Sequence, residues 1–483
     1  MYGLTIVEFH QLMKENKINI QEYYNQLFED AKKQQKRLNA FVTITQDQVN
    51  QQLNNFQFDE NNLLSGVAFV AKDNYSTKGI KTTASSRMLE NYEPIYDAHV
   101  ISKLKARDCM MIGKSSMDEL AMGGTNKSAL TGPVSNPYDV TRISGGSSGG
   151  SAALVASGLI PFALGSDTGD SIRKPAGYCG VVGFKPTWGR ISRYGVIPYA
   201  SSLDHVGAFT RSVEDMAIVI EALAGRDDRD MTSSYKEVEP YYTNLTDQVQ
   251  DKKIAVIQEI YEQISNQAIK ANFDQMIQIY RGLGCQVEFV HFDKTLLKAL
   301  LPTYTIIANS EATSNHACLD GVKYGTRVDA PSPDEVMIAS RTNGFGDHIK
   351  RRFILGNLAL ATENQEKMFR KAQRVRRLIV NELNKIYEDY DLVLTPTAGH
   401  IAAKIDDESE DRLTDEYLIL ENHLALGNFA GTPSLTLPCG FIEDMPIGIN
   451  IMGKLFEEQT VLNASYALEK QLNLKNQFVK GEE

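Results

Sequence analysis

Several protein classes are excluded by what this sequence lacks. Its 483 residues include five cysteines, Cys109, Cys179, Cys285, Cys318 and Cys439. They are odd in number and far apart, which argues against a disulfide framework, and no C-x-x-C pair suggests zinc. The eight histidines form no H-E-x-x-H, so no metal site is expected. A reducing compartment suits this cysteine usage, and the cytoplasm is the expected location. Positive charge is in deficit: Lys plus Arg is 50 against 61 Asp plus Glu, a net charge of −11. A sequence-independent nucleic-acid binder needs the opposite balance. The longest apolar stretch, Ser151 to Gly165, is broken by Ser157, Gly158 and Pro161 and is too short for a membrane span. Glu8 and Glu15 fall where a secretory signal would be cationic and then apolar, so none is expected. There is no repeat of solenoid period and no Pro/Gly-rich linker that would force a domain boundary.

What is present reads as globular α/β. Residues 5–60 have helical spacing, with Leu12, Met13, Tyr24, Leu27 and Phe28 recurring on one face. Short apolar runs at 66–71, 110–112 and 161–164 predict buried strands, and 152–159 predicts a small-residue helix. Ser212 followed by Glu214 and Asp215 marks a helix start at 212–224. Residues 225–251 read as loop. Then come a strand at 253–257, a helix at 262–283 and a strand at 285–292. Strands alternating with helices predict a layered α/β fold, here one large domain.

Three segments could carry chemistry. Gly145-Gly-Ser147-Ser-Gly-Gly150-Ser151 fits the nucleophile-elbow pattern G-x-S-x-G, but alone such a cluster is more often a flexible turn. It lacks the Gly-Lys-Ser/Thr ending of a phosphate loop. Gly113-Lys-Ser115 has that ending, but Asp108 stands where the upstream glycine belongs. Ser171 to Lys174 fits S-x-x-K, yet the S-D-N and K-T-G companions are missing, and Pro175 argues against a helix through the lysine. Lys72 ends an apolar run. A lysine there usually reaches back to water. To act as a base near neutrality its pKa must fall from about 10.4 to 7–8 by burial.

In this order and spacing, the lysine run, the Gly/Ser segment and Gly165-Ser-Asp-Thr-Gly169-Asp-Ser171-Ile-Arg-Lys-Pro-Ala176 resemble the amidase signature family. Gly113 to Met122, Cys179 to Pro186 and Leu203-Asp-His-Val-Gly207 extend the resemblance to nearly the whole chain. Ser310 to Asn315, Asp320 to Gly325, Gly344-Phe-Gly346 with Lys350-Arg-Arg352, Leu437 to Gly440 and Pro446 to Gly453 are similar to its glutamine-hydrolysing subunits of tRNA-dependent amidotransferases.

The resemblance implies one domain over residues 1–483, with a mixed β-sheet core covered by helices on both faces. Within it, 1–60 would be an N-terminal helical segment, 61–225 would hold the catalytic motifs, and 226–483 would carry substrate-binding elements. It assigns Ser171 as nucleophile, Ser147 as a relay serine in a cis-peptide setting and Lys72 as base. Backbone N–H groups of Thr168, Gly169, Asp170 and Ser171 would hold the oxyanion. Glutamine would be bound by Tyr304, by Arg351 or Arg352 at its α-carboxylate, and by Glu421 at its ammonium. The chain itself would bind no cofactor. ATP and Mg²⁺ would serve two partner subunits, which would also carry most of the tRNA contact, and ammonia would convert Glu-tRNA(Gln), Asp-tRNA(Asn) or both. The alternatives are a stand-alone amidase on a small amide and a catalytically weakened scaffold in the same complex.

Two departures from the family pattern stand out. Asp170 and Lys174 occupy positions where Gly and Gln are usual. A carboxylate about 6 Å from an oxyanion, at an effective dielectric near 20, costs about 3 kcal/mol. Lys174, four residues on, is expected to pair with it. Glu421 stands where Asp is usual.

Overall fold

The computed structural model describes residues 3–407 and 414–479. Its apolar runs form eleven strands: β1 Phe41–Ile44, β2 Ala68–Lys72, β3 Met110–Ser115, β4 Phe162–Asp167, β5 Val182–Lys185, β6 His205–Thr210, β7 Lys253–Ile257, β8 Gln286–Val290, β9 Leu392–Pro396, β10 Ser434–Ile442 and β11 Met445–Gly453. They make one mixed sheet in the order β1-β3-β2-β4-β6-β5-β10-β11-β9-β7-β8. The central strands are buried along their length because helices cover both faces: every residue of β2 to β6 and of β9 is buried. One hydrophobic core runs from Ile6 to Leu468, so both halves of the chain share it.

β2 lies between β3 and β4 and is parallel to both, with Phe69 opposite Phe162 and Val70 opposite Ala163. The carboxyl ends of β2 and β4 therefore open side by side, where open α/β sheets place their ligands. Lys72 is the last residue of β2, and Asp167 ends β4.

The helix at Gly149–Ala156 packs on β2 and β4. It is stitched down by Ser151, whose hydroxyl donates to Leu164 O (2.8 Å) and accepts from the Ser115 hydroxyl (2.7 Å).

Several expectations are corrected. The 5–60 segment is not all helix: β1 pairs antiparallel with β3 at the sheet edge. Its four residues are too few, and too evenly half-buried, to give a strand pattern. The helix predicted at 262–283 starts at Gln267, where the Asn266 side chain caps the Ala268 and Ile269 N–H groups. A separate short helix occupies Gln258–Tyr261. The small-residue helix lies at 149–156, not 152–159, because it begins within the glycines. A helix does run through Lys174, from Arg173 to Cys179. Pro175 is its third residue, where the missing N–H would have had no acceptor within the helix. Ser212 caps its helix as expected, accepting from Asp215 N–H (3.1 Å).

Candidate active site

The Gly/Ser segment is not a flexible turn. Every residue from Ile143 to Pro161 is buried. Gly145 has φ +78°, a left-handed conformation that favours glycine. At Gly146 the backbone passes so close to the Asp118 carboxylate that an added Cβ would lie 2.1 Å from Oδ2. The Gly146–Ser147 peptide bond is cis. Asp118 ties this loop down: its N–H donates to Ser147 O (3.2 Å), and its carboxylate accepts from Asn126 N–H (2.9 Å) and Ser128 Oγ (2.8 Å).

Lys72 does not reach back to water; it is fully buried. Its Nζ lies 2.8 Å from Ser147 Oγ, 2.9 Å from Ser166 Oγ and 3.3 Å from Ser166 O. Burial lowers its pKa to about 7, partly opposed by Asp118, Asp167 and Asp204. Three contacts suit a neutral amine. Two N–H bonds donate to the Ser166 oxygens, and the lone pair accepts the Ser147 hydroxyl proton. In the charged form Nζ would donate to all three.

Ser171 sits in the loop between β4 and the helix at 173–179. Arg173 fixes that loop. Its guanidinium makes a fully buried bidentate pair with Asp167, at 2.9 and 3.1 Å, and donates to Gly169 O (2.7 Å). Burial opposes ionisation of Asp167, but Arg173 outweighs it and holds the carboxyl well below its usual range. Thr168 Oγ1 donates to Asp204 Oδ1 (2.7 Å), anchoring the other end of the loop. Among the described residues, the N–H groups of Thr168, Gly169, Asp170 and Ser171 have no acceptor within the protein. Four successive free donors beside a serine are what a developing oxyanion requires. Lys72 and Ser147 are in hydrogen-bond contact. No hydrogen bond joins Ser147 to Ser171, which is common before substrate draws the groups together.

Asp170 is not among the residues with positive φ, so replacing glycine there stores no backbone strain. The expected ion pair is present, with Lys174 Nζ 3.3 Å from Asp170 Oδ2. Burial still raises the Asp170 pKa, with Lys174 opposing it. Lys174 is shared, however: it also donates to Glu421 O (2.7 Å) and Oε2 (3.2 Å). Burial disfavours its charge, but Glu421 and Asp170 more than offset this and raise its pKa. Compensation predicts that Lys174→Gln lowers kcat for amide hydrolysis by about tenfold, by removing the protein's own cation from Asp170 beside the oxyanion. Steady-state kinetics on Lys174→Gln and Asp170→Gly check this. A silent Lys174→Gln with a strongly faster Asp170→Gly would refute it.

Tyr304 lies against the nucleophile loop: a Cβ on Gly169 would be 3.0 Å from Tyr304 Cε2. Its ring meets Tyr199 edge-on at 6.5 Å, and Arg352 Nη1 donates to the Tyr199 hydroxyl (3.1 Å). Arg351 is exposed on the same helix, so Arg352 is the guanidinium that reaches this neighbourhood. Glu421 is nearby through Lys174. Its Oε1 accepts from Gly399 N–H (2.9 Å), and its Oε2 also meets His400 Nε2 (3.3 Å).

Sequence reasoning did not find Ser166, Tyr199, His400 or Asn428, which holds Asp167 through Nδ2 (2.9 Å). Among the described residues, no group of three or more His, Cys, Asp or Glu is arranged to hold a metal. Nor is any helix long and apolar enough to cross a membrane.

Known proteins resemble this chain in sequence and fold. The family model described as Amidase matches residues 22–462. The A subunit of glutamyl-tRNA(Gln) amidotransferase from Pediococcus pentosaceus is 41% identical over 473 residues, 97% of this chain and 96% of its own. The protein of the same name from Lactiplantibacillus plantarum is 39% identical, covering 99% of this chain and 98% of its own. Among solved structures, the A subunit of glutamyl-tRNA(Gln) amidotransferase from Thermotoga maritima superposes with a TM-score of 0.82 at 35% identity, over 99% of this chain and 98% of that one. A buried lysine hydrogen-bonded to a serine and a family match spanning most of the sequence agree: the chain belongs to the amidase family.

Proposed function

We propose that this chain hydrolyses the side-chain amide of glutamine and supplies the ammonia to a tRNA-dependent amidotransferase of which it is one subunit. The observation that carries this reading is the contact of Lys72, with a pKa near neutrality, on Ser147. Neutral Lys72 takes the Ser147 proton as Ser147 takes that of Ser171. The Ser171 oxygen attacks the amide carbon. The resulting oxyanion accepts from the backbone N–H groups at Thr168, Gly169, Asp170 and Ser171. The proton returns through Ser147 to the leaving nitrogen, the C–N bond breaks, and ammonia departs from a γ-glutamyl ester on Ser171. Water, activated by the same relay, cleaves the ester to glutamate. Tyr304 and Arg352 suit the amino-acid end, with the guanidinium toward the carboxylate.

The names of the near-full-length relatives support Glu-tRNA(Gln) as the acceptor. ATP, Mg²⁺ and most of the tRNA contact belong, in this proposal, to two partner subunits, and the whole assembly is cytoplasmic. The chain's acidic balance suits that division. Co-expression with the partner subunits tests it. A stable three-subunit complex should amidate Glu-tRNA(Gln) with glutamine and ATP. An amidase active on small amides alone, with no partner bound, would refute it.

A further inference from the structure

Resting on the glutamine reading above, we propose that the substrate's α-ammonium is received by Asp170, next to the nucleophile, and not by Glu421. Glu421 has no oxygen to spare. Its Oε1 accepts from Gly399 N–H at 2.9 Å, its Oε2 faces Lys174 at 3.2 Å and His400 at 3.3 Å, and its side chain is only 12% exposed. The cation that Glu421 requires is already supplied by the protein. A further ammonium there would have to displace Lys174, whose Nζ is also bound to Glu421 O at 2.7 Å.

Asp170 is in the opposite condition. Its single partner is Lys174 at 3.3 Å on Oδ2, and its side chain is 25% exposed. Oδ1 has no partner among the described residues. Asp170 follows Gly169, which rests against the Tyr304 ring, and Tyr304 packs on Tyr199, which holds Arg352. The Asp170 carboxylate and the Arg352 guanidinium both act electrostatically on the hydroxyl of this one tyrosine, which packs on the loop carrying Ser171. That is the charge pair an α-amino acid zwitterion matches, with its carboxylate on Arg352 and its ammonium on Asp170. Burial disfavours the Asp170 charge and Lys174 only partly offsets this, so a second cation from the substrate completes the balance. The same cation would shield the oxyanion from Asp170 when glutamine is bound, and an amide without an ammonium would lack that shielding.

The test compares glutamine with glutaramate, which keeps the γ-amide and the carboxylate but has no ammonium. The full chain, co-expressed with its partner subunits, is assayed for kcat/KM on both. Wild type is expected to prefer glutamine. Asp170→Asn is expected to reduce that preference at least tenfold, with KM for glutamine rising more than kcat falls. Asp170→Glu should recover part of the preference. Asp170→Gly, a smaller side chain at an accessible position, is measured alongside and should lose the preference as Asp170→Asn does. Glu421→Gln should change the preference by less than threefold. If Asp170→Asn and Asp170→Gly both keep the preference while Glu421→Gln erases it, this assignment is wrong and the glutamine reading stands. If wild type turns over no glutamine, the reading itself falls and this assignment with it.

Discussion

Lys72→Met is expected to be inert toward glutamine yet more stable than wild type in mild acid. The kinetic part follows from the lost base: removing it should cost about 10³-fold in kcat/KM. In wild type, kcat/KM should rise with pH and level off above about 7, as Lys72 loses its proton. The stability part follows from linkage. Lys72 has a pKa of about 7 in the folded chain against 10.5 when exposed. Below pH 7 both states hold the proton, and the folded state bears the full cost of a buried charge. That difference corresponds to about 5 kcal/mol. Between 7 and 10.5 the unfolded chain binds the extra proton, so wild-type stability rises with pH across that window. Met removes the charge but leaves Ser147 and Ser166 without their partner, which returns about 1–3 kcal/mol. The net gain at pH 6 is about 2–4 kcal/mol, shrinking toward pH 10. Denaturant midpoints of both proteins at pH 6, 8 and 9.5 check it. A variant less stable than wild type at pH 6 would mean that Lys72 is not held against its charge.

Ser171→Ala is the second large effect. It should reduce glutamine hydrolysis by about 10⁴-fold or more, since the remaining members of such a unit catalyse little on their own. The fold should be unaffected: Ser171 is buried, but its hydroxyl has no hydrogen-bond partner among the described residues. Amidation of Glu-tRNA(Gln) by the complex should then fail with glutamine and persist with free ammonium, because the ammonia-using step is placed on a partner. Unchanged glutamine-dependent amidation would make this chain a scaffold. Loss with both nitrogen sources would point to a damaged complex. Ser147→Ala should be less severe, because Lys72 keeps its position through Ser166.

How far the sequence could be read depended on whether a feature was local. Lys72, Ser147 and Ser171 stand out in the sequence because each sits in a short pattern whose order along the chain is distinctive. Their environment was not. The contacts that hold Lys72 come from Ser147 and Ser166, 75 and 94 residues away, and no periodicity encodes such a meeting. Arg351 and Arg352 could not be told apart, since neighbours on a helix point about 100° apart and only a partner, here Tyr199, shows which one turns inward. Pro175 misled because its effect on a helix depends on its distance from the first residue, which the sequence blurs. The basic run Arg370 to Arg377 has the charge pattern of a solvated helix face. It is so for Arg370 and Arg374, which pair with Glu366, but Arg376 turns in to donate to Phe429 O and to Ser202. The edge strand β1 was missed for want of length. β2, β3 and β4 were found because burial on both faces leaves a largely apolar run, whereas β5, β6, β9, β10 and β11 were not predicted.

The most direct test of the mechanism is to catch the ester. The assembled complex is mixed with glutamine, quenched in acid within milliseconds to seconds, digested and examined by mass spectrometry. A γ-glutamyl adduct is expected on the peptide carrying Ser171. The adduct should appear before steady state, decay as glutamine is exhausted, and be absent in Ser171→Ala and Lys72→Met. Glutamine hydrolysis at the wild-type rate with no adduct on Ser171, or with an adduct on another residue, would contradict it.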